Sequence, residues 1–111
     1  MIVNKKTNAV ITEHYKNLAN PFAQGIGLML QKPKPVLFSF SFPRREMITM
    51  FMVFYPLDLI FLDDKKKVIE LKEHLKPFRN YLPQNKFQYL LEMPSGTIKR
   101  KKIKIGDVWK F

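Results

Sequence analysis

Alternation of apolar and polar side chains over residues 38–42, at the end of the apolar segment that begins at Val36, constrains the fold of this chain more than any other feature. Phe38, Phe40 and Phe42 share one face of an extended segment, and serines occupy the positions between them. Period-two patterning of this kind is typical of a half-buried β-strand. The phenylalanines could form a stacking platform for a ligand, but their alternation with serine favours packing into a core.

Six further segments have strand-like sequences, and short breaks separate most of them. They are residues 9–15, 48–55, 57–62, 67–71, 87–93 and 108–111. The segment 48–55 is apolar on both faces, which predicts a central strand covered on both sides. The charged residues 63–66 predict a tight hairpin between two of the strands.

Helical patterning is limited to two short stretches, near residues 21–30 and 95–103, and Ser95 is the expected N-cap of the second. Long helices between strands, which a doubly wound fold requires, are absent from the sequence pattern. We therefore predict a mostly β (α+β) fold: one compact antiparallel barrel or sandwich of about seven short strands and two short helices. The length of 111 residues fits one domain over residues 1–111.

Composition excludes several kinds of site. The chain has no cysteine and only two histidines, which excludes disulfides, thiolate chemistry and a histidine-rich zinc centre. Phosphate-binding and dinucleotide-binding glycine motifs are also missing. Glu73 and His74 are adjacent, so their side chains diverge on a strand or a helix, and we expect no metal site. We also expect no cofactor.

The expected location is cytoplasmic. The first residues contain no apolar stretch of the kind that a secretion signal needs. The most apolar segment, residues 47–62, is interrupted by Pro56 and Asp58, and a membrane span needs about 20 apolar residues. No membrane span is therefore expected.

Asp58 is the polar residue that most requires an explanation, because apolar side chains surround it in the sequence. A buried carboxylate must be hydrogen-bonded. One hypothesis is a ligand-binding or catalytic acid, and the other is a structural aspartate that accepts backbone N–H bonds from a neighbouring loop. The second is favoured, since most buried polar groups are bonded for structural reasons.

The charge is strongly positive, with 20 Lys+Arg against 9 Asp+Glu and a net charge of +11. The densest basic run consists of Lys99, Arg100, Lys101 and Lys102. A run of cations can contact phosphates, but successive helical residues point in directions about 100° apart. A solvated surface is therefore favoured over a nucleic-acid site unless these residues gather with the lysines at 65–67.

Several short motifs occur together in an order that resembles the family known as domain of unknown function 192, in its archaeal-type form. They are Gly-Leu-Met at residues 27–29, Pro-Leu-Asp at 56–58, Glu-Met-Pro-Ser-Gly-Thr at 92–97 and Ile-Gly-Asp at 105–107. The resemblance extends from about Gly25 to Val108. It implies a compact β-rich domain and no particular reaction.

Two departures from that family pattern affect polar residues. Gln31 and Lys32 stand where the family often has an arginine, and residues 50–54 replace a Trp-Met-Lys-Asn-Thr segment that many members carry. A role for those polar residues therefore does not transfer to this chain.

Three functional hypotheses follow, in order of preference. The first is a non-catalytic module that binds a ligand or a protein partner, with Asp58, Pro56, Glu92 and Gly96 as candidate ligand-binding residues. The second is a basic nucleic-acid-associated protein that uses residues 99–102. The third is an enzyme that uses Asp58 with Glu92 or His74, and it requires these groups to lie within a few ångströms of one another.

Overall fold

A computed structural model describes residues 1–18, 34–50 and 53–111. Over these residues the chain forms ten β-strands and one short helix. They are β1 (Ile2–Asn4), β2 (Val10–Thr12), β3 (Lys16–Leu18), β4 (Val36–Arg44), β5 (Ile48–Thr49), β6 (Leu57–Leu62), β7 (Val68–Leu75), β8 (Asn80–Tyr81), β9 (Phe87–Pro94), α1 (Thr97–Arg100) and β10 (Trp109–Lys110).

A five-stranded sheet in the order β3-β4-β9-β6-β7 forms the centre of the fold. All its neighbours are antiparallel except β3 and β4, which are parallel. Every residue of β6 is buried, which is the pattern of a strand covered on both faces. The remaining strands form a three-stranded sheet, β10-β1-β2, and the ribbon β5-β8.

Each face of the central sheet carries its own apolar cluster. The first cluster comprises Val36, Phe38, Phe40, Ile48, Met50, Val53, Leu57, Leu59, Phe61, Leu75, Phe87 and Leu90. The second comprises Ile2, Ile11, Leu37, Ile60, Leu62, Val68, Leu91, Met93, Ile98, Ile103 and Trp109. The ribbon contributes to the first cluster, while β1, β2, β10 and α1 contribute to the second. The fold is therefore layered like a sandwich.

The predicted fold class is confirmed: the protein is mostly β, largely antiparallel and sandwich-like, and the described strands do not close into a barrel. The predicted hairpin is also present. The Asp63 amide donates to the Lys67 carbonyl (2.9 Å), and the Asp63 carboxylate accepts the amides of Lys65 and Lys67.

The predicted central strand over residues 48–55 is wrong. Strand β5 ends at Thr49, residues 53–56 belong to no strand, and the Met50 carbonyl accepts the amides of Val53 and Phe78. Met50 and Val53 are both buried. The apolar residues described here are therefore buried outside a strand, and β6 is the strand that is covered on both faces.

The edges of other predicted elements also differ. The segment 9–15 forms a strand only at Val10–Thr12, because the Thr12 hydroxyl bonds the His14 carbonyl in a bend. The sequence analysis did not predict β1, β3 or β8, and β7 extends beyond residue 71. Phe38 and Phe40 are buried as expected, but Phe42 is exposed, because the register between β4 and β9 shifts after Ser39.

The predicted helix over 95–103 is reduced to α1. Gly96, with φ of 94°, precedes it, rather than Ser95. Lys102, with φ of 54°, ends it. The amides of Ile103 and Lys102 bond the carbonyls of Ile98 and Lys99, which is a Schellman closure. The helix predicted near residues 21–30 lies outside the described residues.

Candidate functional site

Asp58 is completely buried in β6, and backbone amides bond its carboxylate. One oxygen, Oδ1, accepts the His74 amide at 2.8 Å. The other, Oδ2, accepts the amides of Gly96 at 3.1 Å and Ile98 at 2.9 Å. These three bonds satisfy the carboxylate in the way that a structural aspartate requires.

The three donors to Asp58 belong to an irregular part of β7 and to the start of α1. His74 lies at a register shift between β6 and β7 and has φ of 51°, in the left-handed region. The Gly96 and Ile98 amides belong to the start of α1, where no side chain of the helix itself provides a cap. Asp58 therefore caps α1 from a neighbouring strand and joins it to β7.

Glu92 is also a buried carboxylate, but it differs from Asp58 in its hydrogen bonding. It lies in β9 between Val36 of β4 and Leu59 of β6, on the face that carries the first cluster. Its exposure is only 7%, and none of the described residues donates a hydrogen bond to its carboxylate. Burial raises the pKa of Glu92 to about 7. Burial and the Glu92 charge together raise the pKa of Tyr55.

Asp58 and Glu92 lie on opposite faces of the central sheet. Asp58 is opposite Met93, a member of the second cluster, whereas Glu92 is opposite Leu59, a member of the first. Because successive side chains of a strand alternate between faces, the two carboxyl groups are separated by the sheet. The structure does not bring these two predicted site residues together.

Of the other predicted site residues, Gly96 and His74 contact Asp58, and Pro56 adjoins Tyr55. The Gly96 amide bonds Asp58. Pro56 is half-buried and directly precedes β6, next to Tyr55. His74 contacts Asp58 through its backbone, while its ring Nδ1 lies 2.6 Å from the Ser95 hydroxyl.

Residues from all five strands of the central sheet align in one row across it, centred on Glu92. The pairs are Lys16 with Val36, Val36 with Glu92, Glu92 with Leu59 and Leu59 with Lys72. Directly opposed residues point to the same face of a sheet. Glu92 therefore has an apolar neighbour on each side and a lysine one strand further out in both directions.

A third buried carboxylate, Glu70 of β7, was not among the predicted site residues. It bonds the Tyr81 hydroxyl, the Asn85 side chain and the amides of Gln84 and Asn85. Burial acts to raise its pKa, but these hydrogen bonds outweigh burial, so the pKa of Glu70 is lowered. Burial and Glu70 raise the pKa of Tyr81 to about 12. A glutamate between Ile69 and Leu71 is the sequence signal that could have identified this group.

No hydrogen bond among the described residues joins the run at 99–102 to the lysines at 65–67, which instead contact the C-terminal strand. The Trp109 amide donates a hydrogen bond to the Lys66 carbonyl, and Lys67 forms an isolated antiparallel β-bridge with Val108. The Lys5 amide also bonds the Val108 carbonyl, and β10 pairs with β1. The run Lys99, Arg100, Lys101 and Lys102 is fully exposed, and within the described chain its members form no ion pair.

No helix among the described residues has the length and apolar character needed to cross a membrane. The described residues also contain no group of three or more histidine, aspartate or glutamate side chains placed to hold a metal ion.

Comparison with archaeal proteins finds relatives that match along most of the chain. A UPF0127 protein of Pyrococcus horikoshii is 33% identical, covering 100% of this chain and 98% of that protein. A UPF0127 protein of Thermococcus sibiricus is 32% identical over 96% of this chain and 71% of that protein.

Two solved structures have similar folds. A Novosphingobium aromaticivorans protein of unknown function superposes with a TM-score of 0.85 at 20% identity, over 99% of this chain and 83% of that one. A Sinorhizobium meliloti protein described as a "putative transcription regulator" gives a TM-score of 0.77 at 25% identity, over 86% and 79% of the two chains. The sequence profile of the domain of unknown function 192 family, described as an uncharacterized ACR, matches residues 2–111, and the chain belongs to that family.

Proposed function

We propose that this protein is a non-catalytic binding domain and that Glu92 is the central residue of its binding site. The ligand, or the partner group, donates a hydrogen bond to the Glu92 carboxylate, and an ammonium group is the donor that suits it best. Tyr55 is half-buried and close enough to Glu92 for its pKa to be raised by the Glu92 charge, and we include Tyr55 and the adjacent Pro56 in the site.

The observation that carries this proposal is that none of the described residues donates a hydrogen bond to the buried Glu92 side chain. A buried carboxylate without a donor costs free energy, and Asp58 and Glu70 in the same sheet avoid that cost through three or more hydrogen bonds each. A donor that arrives with a ligand removes the cost for Glu92. Perturbed buried carboxyl groups of this kind are enriched in functional sites.

Binding is favoured over catalysis because the paired carboxylates of the enzyme hypothesis lie on opposite faces. General acid–base chemistry requires both groups to reach one substrate within hydrogen-bonding distance. Asp58 is also fully engaged with backbone amides. Glu92 alone can recognise a donor without a second acid or base.

The test uses hexylammonium as a probe, because it combines an ammonium head with an apolar chain. Titration at pH 8 should produce saturable NMR shift changes at the Leu59 methyls and the Tyr55 ring. The Glu92→Gln variant should lose these changes, and 1-hexanol, which lacks the charge, should bind far more weakly. Identical titrations for the wild type and Glu92→Gln would contradict the proposal.

Nucleic-acid binding is the second candidate function. It is favoured by the exposed cationic run at residues 99–102 and by the similar fold of the Sinorhizobium protein described as a "putative transcription regulator". Cations without ion-pair partners are available for phosphate contacts, which are independent of base sequence.

A further inference from the structure

The lysine end of the row through Glu92 borders an open cleft. The cleft has a volume of about 620 Å³ and lies where β3 and β4 begin. Its described lining consists of His14, Tyr15, Lys16, Lys34, Pro35 and Val36. A bond from the Lys16 amide to the Pro35 carbonyl (3.0 Å) holds the two walls together. Its volume lies in the range of small-molecule sites, about 300–1,000 Å³.

The described lining of this cleft is positively charged. It includes two lysines and a histidine but no acidic residue. No described residue forms an ion pair or a side-chain hydrogen bond with Lys16 or Lys34. Their ammonium groups are therefore available to an external anion. By contrast, Lys66 bonds the Phe111 carbonyl, and Lys72 lies over the Tyr81 ring.

Val36 connects the cleft to Glu92. It lines the cleft and is also the cross-strand neighbour of Glu92. Neighbouring strands are about 4.8 Å apart, so the backbones of Lys16 and Glu92 are separated by about 10 Å. Along this row, one face of the sheet thus carries Lys16, then the buried Val36, then a buried carboxyl group without a described donor.

From this arrangement we infer that the ligand of the Glu92 site is a small molecule with an anionic group at one end and an ammonium group at the other, joined by an apolar chain. Lys16 and Lys34 bind the anionic group, Val36 and Pro35 contact the chain, and Glu92 accepts the ammonium group. This inference rests on the proposed function, because it gives the ligand class of the same site.

The test compares 6-aminohexanoate with hexylammonium and hexanoate, each of which lacks one of the two charges. Isothermal titration at pH 8 and low salt should give an affinity for 6-aminohexanoate about tenfold or more above that for either probe, because its two charged ends bind together. The Lys16→Gln/Lys34→Gln variant should lower that affinity to the level of hexylammonium and leave hexylammonium itself unchanged. The matched control Lys65→Gln/Lys67→Gln, in the β6–β7 hairpin, should change none of the affinities.

The outcomes separate the two proposals. If 6-aminohexanoate binds no more tightly than hexylammonium, or if both lysine variants weaken it equally, the ligand class is wrong. The proposed function is retained in that case as long as hexylammonium binds in a Glu92-dependent way. If neither amine binds in a Glu92-dependent way, both proposals are wrong.

Discussion

Asp58 and Glu92 lie on neighbouring strands one step apart in register, yet their carboxyl groups occupy opposite faces of the central sheet. Asp58 accepts three backbone amides, whereas Glu92 has no donor among the described residues. Two carboxylates with nearly the same burial therefore have different energetic roles: one stabilises the fold, and the other destabilises it when it is ionised.

Substitution of Asp58 should destabilise the protein. Asp58→Ala leaves three buried amides without an acceptor, and each lost partner costs about 1–3 kcal/mol. Asp58→Asn keeps the shape but replaces one acceptor with a donor, so it should also lower stability, by a smaller amount. Urea midpoints measure both effects. A midpoint that stays constant or rises in both variants would contradict the structural role of Asp58.

The pH dependence of the free energy of unfolding should reveal the raised pKa of Glu92. The ordinary glutamate pKa is 4.5, and burial raises it to about 7 in the folded state. Between these values the unfolded chain releases the proton and the folded chain retains it. The stabilising contribution is therefore present below pH 4.5 and is lost as the pH rises through about 7, by at most about 3 kcal/mol.

The Glu92→Met variant isolates this contribution, because methionine has a similar length and no charge. Its stability relative to the wild type should increase from pH 4.5 to pH 8 in urea titrations. A difference between the two proteins that does not change with pH would show that Glu92 does not titrate in this range.

Substitutions at Glu70 should have the opposite dependence on pH. Hydrogen bonds lower its pKa in the folded state, so its stabilising contribution is present above the unfolded value and is lost as the pH falls through the folded pKa. Tyr81→Phe removes one bond and should cost about 0.5–1.5 kcal/mol at neutral pH, and Glu70→Gln should cost more. Unfolding curves at pH 7 and pH 3.5 test this, and equal losses at both values would contradict it.

The nucleic-acid hypothesis makes a separate prediction. Replacing Lys99, Arg100, Lys101 and Lys102 with glutamine should weaken binding to DNA of any sequence. The salt dependence of the affinity should also decrease, by about 0.7–0.9 in slope for each lost phosphate contact. Fluorescence anisotropy at several salt concentrations measures both. Unaltered binding by the variant, or no binding by the wild type at low salt, would exclude a role for this run.

Local patterns predicted the parts of the fold that depend on neighbouring residues. Alternation around Phe38 and Phe40 predicted β4, and the charged residues around Asp63 predicted the hairpin. The same reasoning failed at Met50 and Val53, because residues buried outside a strand are as apolar as those of a covered strand. The two-residue strand β5 depends on its pairing with β8 and has no pattern of its own.

The candidate site depends more than the strands do on contacts between residues that are distant in the sequence. The burial of Asp58 was predictable from its apolar neighbours, but its donors lie 16 to 40 residues away. The apolar cross-strand neighbours of Glu92 follow from the register of β9 against β4 and β6, which the sequence alone does not specify. The proximity of Lys16 to Glu92 likewise requires the parallel pairing of β3 with β4.

The ionisation of Glu92 is the most direct test of its proposed role. A pH titration of its side-chain carboxyl carbon by ¹³C NMR in the ligand-free protein measures the pKa without any substitution. An isolated, buried carboxyl group should titrate at about pH 7. A midpoint at or below the ordinary value of 4.5 would show that the protein itself already stabilises the carboxylate, and would contradict its assignment as the group that receives a ligand.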